Sequence, residues 1–164
     1  MTRECPGPDH SRLRAFSRSL PMALLRCRDA VMARFRPMLR EHGISEQQWR
    51  ILRALTSGGT MRASDLAADT LLSSPSVSRL LKSLAARQLI RRATSADDLR
   101  AARITITARG RRLVDEIAPL SEAIYADIAT AVEVRRLDDL YRMLADTTSR
   151  LGPAPVTDDD FDRA

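Results

Sequence analysis

The stretch SSPSVSRLLKSLAARQLIRR, residues 73–92, decides the fold. Ser74 is placed to cap a helix, and Pro75 falls at the first helical position, where its missing N–H costs nothing. On a wheel of about 100° per residue, Leu80, Leu81, Leu84 and Gln88 fall within about 60° of Val77. The opposite side holds Pro75, Ser76, Arg79, Lys82, Ser83 and Ala86, and no Asp or Glu occurs from Ser73 to Arg92. That wet face is small, flat and cationic. Serines and Ala86 permit close approach, Arg79 can grip a guanine edge bidentately, and Lys82 can reach a phosphate or a base. Such a helix fits the major groove, entering by its dipole-positive N-terminus. Ser74, Ser76, Ser78, Arg79, Lys82 and Ser83 are the DNA-facing candidates. A merely solvated basic face has the same composition, so the flanking elements carry the decision.

Upstream, a short helix over roughly Arg62–Asp69 turns Leu66 and Ala67 inward, and only Leu71-Leu72-Ser73 separate it from the opening stretch. Two short helices joined so closely form a helix-turn-helix. Downstream the period changes from helical to alternating. IRRA leads into a polar turn, TSADDLRA, and then ARITITA sets Ile104 and Ile106 against Arg103, Thr105 and Thr107. That pattern predicts a hairpin with one buried face. Its turn offers Asp98 and Arg100. An arginine at a loop tip can enter the minor groove, and a neighbouring carboxylate can hold its guanidinium in one orientation. A surface ion pair of little energetic weight is the plainer alternative. Arg103 adds a third candidate contact.

Outside this segment the chain is helical. Leu24, Leu25, Val31, Met32, Phe35, Met38 and Leu39 recur at helical spacing between Ser19 and Glu41, with Pro37 expected to kink or break the helix and Gly43 to end it. Ser45 before Glu46-Gln47-Gln48 is a capping box for a helix carrying Trp49, Leu52 and Leu55, stopped by Ser57-Gly58-Gly59. Thr107-Ala108-Arg109-Gly110 opens another helix with Leu113, Ile117, Leu120, Ile124 and Ile128 on one side and Pro119 to bend it. A last helix, about Val134–Leu151, aligns Leu137, Leu140, Tyr141, Leu144 and Leu151 and ends at Gly152-Pro153. Residues 1–17 lack periodicity and are expected to form a flexible arm. Residues 153–164 are expected to be a disordered acidic tail.

The net charge of +6 is unevenly spread. Residues 61–112 hold eleven basic and four acidic side chains, net +7, whereas the remainder holds 16 and 17, net −1. A field so concentrated is the electrostatic footprint of a nucleic-acid binder. The same segment contains no aromatic residue on which RNA bases could stack, which argues against an RNA module. Two cysteines and two histidines, Cys5, Cys27, His10 and His42, make neither a disulfide framework nor metal-ligand spacing. No catalytic constellation appears, so neither an enzyme nor a cofactor is expected. No run of about eighteen apolar residues and no secretory h-region occurs, so a cytoplasmic protein is expected.

The order of elements, and DLAADTLLSSPSVSRLLKSLAARQLIRRATSADDLRAARITITARG in particular, resembles the MarR-type winged-helix regulators. The matching features are the L-A pair, the P-S-V-S-R-L recognition helix, the D-x-R wing and the closing T-x-x-G. The family's frequent wing proline and second arginine appear here as Ala96 and Leu99. Within that family, ALLRCRDAVMARFRPMLREHGISEQQWRILRAL is similar to regulators of homoprotocatechuate (4-hydroxyphenylacetate) degradation operons. The resemblance implies a mainly α fold with a small β-hairpin wing. Helices 18–42 and 108–151 would form a dimerisation region around a winged helix-turn-helix at about 45–107, all within one domain, 18–152. It also implies a homodimer that represses aromatic-catabolic genes from a pseudo-palindromic double-stranded DNA operator and is released by a phenolic or aromatic acid. Arg28, on the apolar stripe of the first helix, could meet that carboxylate, with Met32, Phe35 and Trp49 as walls. A structural acid could pair with Arg28 instead, and Trp49 could be plain core. A different signal, oxidation of Cys27, is the alternative within the same family.

Overall fold

The computed structural model describes residues 15–95 and 98–152, without the side chains of Ser17 and of residues 94, 95 and 98–102. After a single 3-10 turn at Phe16–Arg18, helix α1 spans Leu20–Glu41 and α2 Glu46–Gly58. A two-residue strand β1, Met61–Arg62, precedes α3, Ala63–Thr70, and α4, Ser74–Ala86. Strands β2, Ile90–Ser95, and β3, Asp98–Ile106, form the hairpin, followed by α5, Ala108–Val132, and α6, Val134–Leu151. The fold is mainly α with a small wing, as the sequence predicts. No helix among the described residues is long and apolar enough to cross a membrane.

The chain divides into two compact units, residues 1–34 and 35–164. In the first, α1 presents Leu20, Leu24 and Leu25 as exposed side chains, with Val31 and Met32 half-buried. Arg26 lies over the Phe16 ring, 5.7 Å from its centroid. The second unit has a continuous core. Ile51, Leu52 and Leu55 of α2, Leu66 of α3, Leu81 and Leu84 of α4, Ile104 of β3 and Ile117 of α5 are completely buried. These are the apolar stripes of the separate elements brought together, each worth about 1.5–3 kcal/mol for a fully buried side chain.

Local signals set most boundaries. Gly43 takes a positive φ of 63°, closing α1, and Ser45 with Gln48 forms the full capping box of α2. Both α1 and α5 run on past Pro37 and Pro119. The expected break at Pro37 does not occur, because Phe35, Met38 and Leu39 bury on either side of it and hold the helix together. The recognition helix is capped by Ser73, not Ser74. Ser73 has extended backbone and its side chain accepts from the Ser76 N–H, which puts Pro75 one position further in, still among the N–H groups that need no helical partner. The helix ends at Ala86, so Gln88 sits at φ 58°, exposed, and not on the inward stripe expected for it.

The sheet has three strands in the order β1-β3-β2, all antiparallel. The pairing Met61↔Ile104 and Arg62↔Arg103 ties the start of the helix-turn-helix to the wing. Ile90↔Ile106 and Arg92↔Ile104 set the register of the hairpin. Its base is locked to α5 by Thr107, whose N–H donates to the Leu89 carbonyl at 3.0 Å and whose hydroxyl is shared between the Gln88 and Leu89 carbonyls at 2.7 and 3.1 Å. The same hydroxyl accepts from the Gly110 N–H at 3.0 Å, capping α5. The T-x-x-G pattern is thus a joint between wing and helix.

Candidate nucleic-acid interface

The recognition helix is positioned by polar contacts at both ends. At its N-terminus α3 stops at Leu71, which adopts the left-handed conformation (φ 52°, ψ 48°) and turns the chain sharply. Leu72 is buried and anchors the turn, while Leu71 is 62% exposed. Arg50 of α2 donates to the last carbonyl of α3, Thr70 O, at 2.6 Å. At the other end Arg87 donates to Gly43 O at 2.7 Å, linking the C-cap of α4 to the α1–α2 turn. With Val77, Leu81 and Leu84 buried beneath it, α4 is fixed in roll and in tilt.

Its outward face is a short relay. The buried Ser73 hydroxyl donates to Ser76 Oγ at 2.9 Å, and Arg79 Nη2 donates to the same oxygen at 3.3 Å. A capping serine therefore orients a half-buried serine, which in turn holds the guanidinium of Arg79 over the first turn. Ser74, Ser78, Arg79 and Lys82 are exposed. Ser83 is exposed too, but its hydroxyl accepts from Gln48 Nε2 at 3.1 Å, so the structure joins it to the start of α2. Gln48 closes the capping box and braces the recognition helix at once. The box was legible in the sequence, but the second bond, 35 residues away, left no local trace.

On the wing, Arg103 is exposed on β3 and stands directly opposite Arg62 on β1. Arg91, also exposed, pairs with Thr105 two residues along β3, on the same side of the sheet. Like charges facing across a strand pair cost stability, and Arg62 and Arg103 with Arg91 leave this side of the sheet positive. The side chains of Asp98 and Arg100, the expected wing-tip contacts, lie outside the described residues, as does Ala96. The structure thus leaves Ser74, Ser78, Arg79 and Lys82 exposed on α4, Ser76 half-buried between them, and Arg103 exposed on the sheet.

The expected effector residues divide between the two units. Arg28, in the first, is exposed in the single chain and not buried among apolar groups as its place on the α1 stripe predicts, because Leu24 and Leu25 beside it are exposed as well. Met32 is half-buried. In the second unit Phe35 is buried against Tyr125, edge to face, with centroids 5.0 Å apart. Trp49 is 8% exposed and belongs to the core. Cys27 is exposed.

Comparison with known proteins agrees with this geometry. Residues 42–101 match the MarR family model. The HTH-type transcriptional regulator FarR of Neisseria gonorrhoeae is 35% identical over 99 residues, covering 60% of this chain and 68% of FarR. The homoprotocatechuate degradative operon repressor of Escherichia coli is 32% identical over 126 residues, covering 77% of this chain and 85% of the repressor. Among solved structures, NadR in complex with 4-hydroxyphenylacetate superimposes with a TM-score of 0.70 at 30% identity, covering 82% of this chain and 96% of NadR.

Proposed function

The chain belongs to the MarR family, and from that premise we propose that it is a homodimeric repressor of an aromatic-catabolic operon, acting in the cytoplasm. The observation that carries the DNA-binding part is the Ser73–Ser76–Arg79 relay on an acid-free face of α4. A guanidinium already oriented loses little freedom on meeting a base, and the capped helix end adds a favourable field for phosphate. Lys82 and Arg103 supply phosphate contacts that position the reading head without specifying sequence.

Apolar surface left open by one chain supports the dimer. Leu20, Leu24 and Leu25 of α1 and Tyr141, Leu144 and Leu151 of α6 are exposed, and α6 buries none of its residues. A stripe at helical spacing that one chain cannot cover suits a two-fold partner. Two recognition helices related in this way would meet half-sites about 10 base pairs apart or a multiple of that. The NadR complex and the E. coli repressor support a phenolic carboxylic acid as the releasing ligand.

Fluorescence anisotropy on duplex DNA from the chain's own upstream region tests this. It is run near physiological salt, with and without hydroxyphenylacetic, benzoic and cinnamic acids. Tight, sequence-dependent binding relieved by one acid is the expected result, and no preference over random duplex sinks the reading. Binding that ignores every acid but is lost to peroxide in the native chain and kept in Cys27→Ser would move the signal to the exposed thiol.

A further inference from the structure

Arg87, Arg109 and Arg112 surround a cavity of about 440 Å³ whose other walls are Leu89, Leu113 and Glu116. It lies where the C-cap of α4 meets the first turns of α5. Among the described residues no carboxylate comes within salt-bridge distance of these three guanidiniums. The protein partners of two of them are neutral: Arg87 donates to Gly43 O at 2.7 Å, and Arg109 donates to Gln88 Oε1 at 3.5 Å. Three like charges around one depression repel one another. Arg109 and Arg112 also stand at the start of a 25-residue helix with no acid in its first turn, where the helix dipole disfavours cations. The depression therefore carries three cations against one acid, Glu116, and its net charge favours an anion.

We propose that this cavity binds a small anion carrying a carboxylate or phosphate group, at a site separate from the DNA-reading face and from the proposed effector residues. Guanidinium forks take up such groups bidentately, and Arg87 at the α4 C-cap and Arg109 and Arg112 on α5 line the one cavity. The cavity, about 440 Å³, suits a compact molecule. The Glu116 carboxylate can accept from a hydroxyl or ammonium on that molecule, while Leu113 offers a half-buried apolar wall. The class that fits is a small hydroxy- or amino-substituted acid, or phosphate itself.

Calorimetric titration of the full-length protein at constant ionic strength tests it, with inorganic phosphate in one arm and glycerate in the other. The expected result is saturable binding of at least one probe, one per chain. Affinity should fall about tenfold or more in R109Q/R112Q. It should be only partly retained in R109K/R112K, which keeps the charges and loses the forks, and unchanged in Arg28→Gln. The preferred probe names the source of the anion. All the substituted side chains are exposed, so the variants should fold. Non-saturable binding of both probes, or equal affinity in R109Q/R112Q, overturns the proposal. Loss in Arg28→Gln with R109Q/R112Q intact overturns it as well, by placing the anion at the effector residues. None of these outcomes depends on whether an aromatic acid releases DNA.

Discussion

Replacing Gly110 with alanine should destabilise the protein, against what helix propensity alone says. Gly110 lies in the first turn of α5, where alanine is favoured by about 1 kcal/mol on propensity. A Cβ at this position would stand 2.2 Å from the Leu89 carbonyl oxygen and 2.7 Å from Ile106 Cγ1, where ordinary contact begins at 3.4 Å. The nearer obstacle is backbone, so helix and strand must separate by about 1 Å, beyond what close-packed interiors absorb without strain. The same oxygen accepts the Thr107 N–H and shares the Thr107 hydroxyl with the Gln88 carbonyl, so parting the seam weakens a backbone bond and disturbs the side chain that caps α5. Overpacking costs about 1–3 kcal/mol, a lost cap about 1 and a weakened hydrogen bond about 1. Set against the propensity gain, the net loss is about 2–4 kcal/mol, a large share of a typical domain's stability. Urea unfolding at fixed protein concentration should show a lower midpoint with an unchanged slope. Gly58→Ala is the control, since its new Cβ meets only the flexible sulfur end of Met61, and its midpoint should stay within about 0.5 kcal/mol of the native protein. If Gly110→Ala matches or exceeds the native midpoint, the joint between wing and α5 is not the close contact described here.

Ser73→Ala removes the true cap of α4 and the donor that orients Ser76, so it should cost about 1 kcal/mol in unfolding and also weaken operator binding. An unchanged midpoint would return the cap to Ser74. Arg79→Ala should lose about 1–3 kcal/mol on the operator and flatten discrimination between bases, whereas Lys82→Ala should weaken all sequences alike and lower the salt slope by about 1. Unchanged base preference in Arg79→Ala would mean that another residue reads the sequence. Leu144→Asp on α6 should shift sedimentation toward monomer by about 1–2 kcal/mol or more, since Leu144 is 38% exposed and a two-fold interface loses it twice. Native-like dimerisation in that variant would move the interface elsewhere.

What was legible in the sequence and what was not divide along the range of the signal. The capping box at Ser45, the stop at Gly43, the hairpin and the limits of α6 are set by residues within a few positions of one another, and local chemistry announces them. Strand β1 escaped because two residues carry no period, and only pairing with β3, more than forty positions on, makes Met61–Arg62 a strand. The choice of Ser73 over Ser74 escaped for a similar reason. Either serine can cap, and the decision falls to tertiary burial beside Leu72 and Thr70. Pro37 does not break α1, because the penalty of a proline is a local quantity and the buried anchors on both sides outweigh it.

The same distinction explains why the DNA-reading face could be found from composition while its precision could not. Absence of acids over twenty residues is visible in the sequence, and it marks a surface that phosphate can approach. Specificity needs more than approach, because a guanidinium free to wander grips any acceptor. Here Ser73 fixes Ser76 and Ser76 holds Arg79, while Arg50, Gln48 and Arg87 pin the helix at its two ends and along its side. Two of those three braces end on backbone carbonyls, which have no signature in a sequence. The residues proposed to touch DNA are therefore the easier ones to name, and those that hold them in place come into view only in the fold.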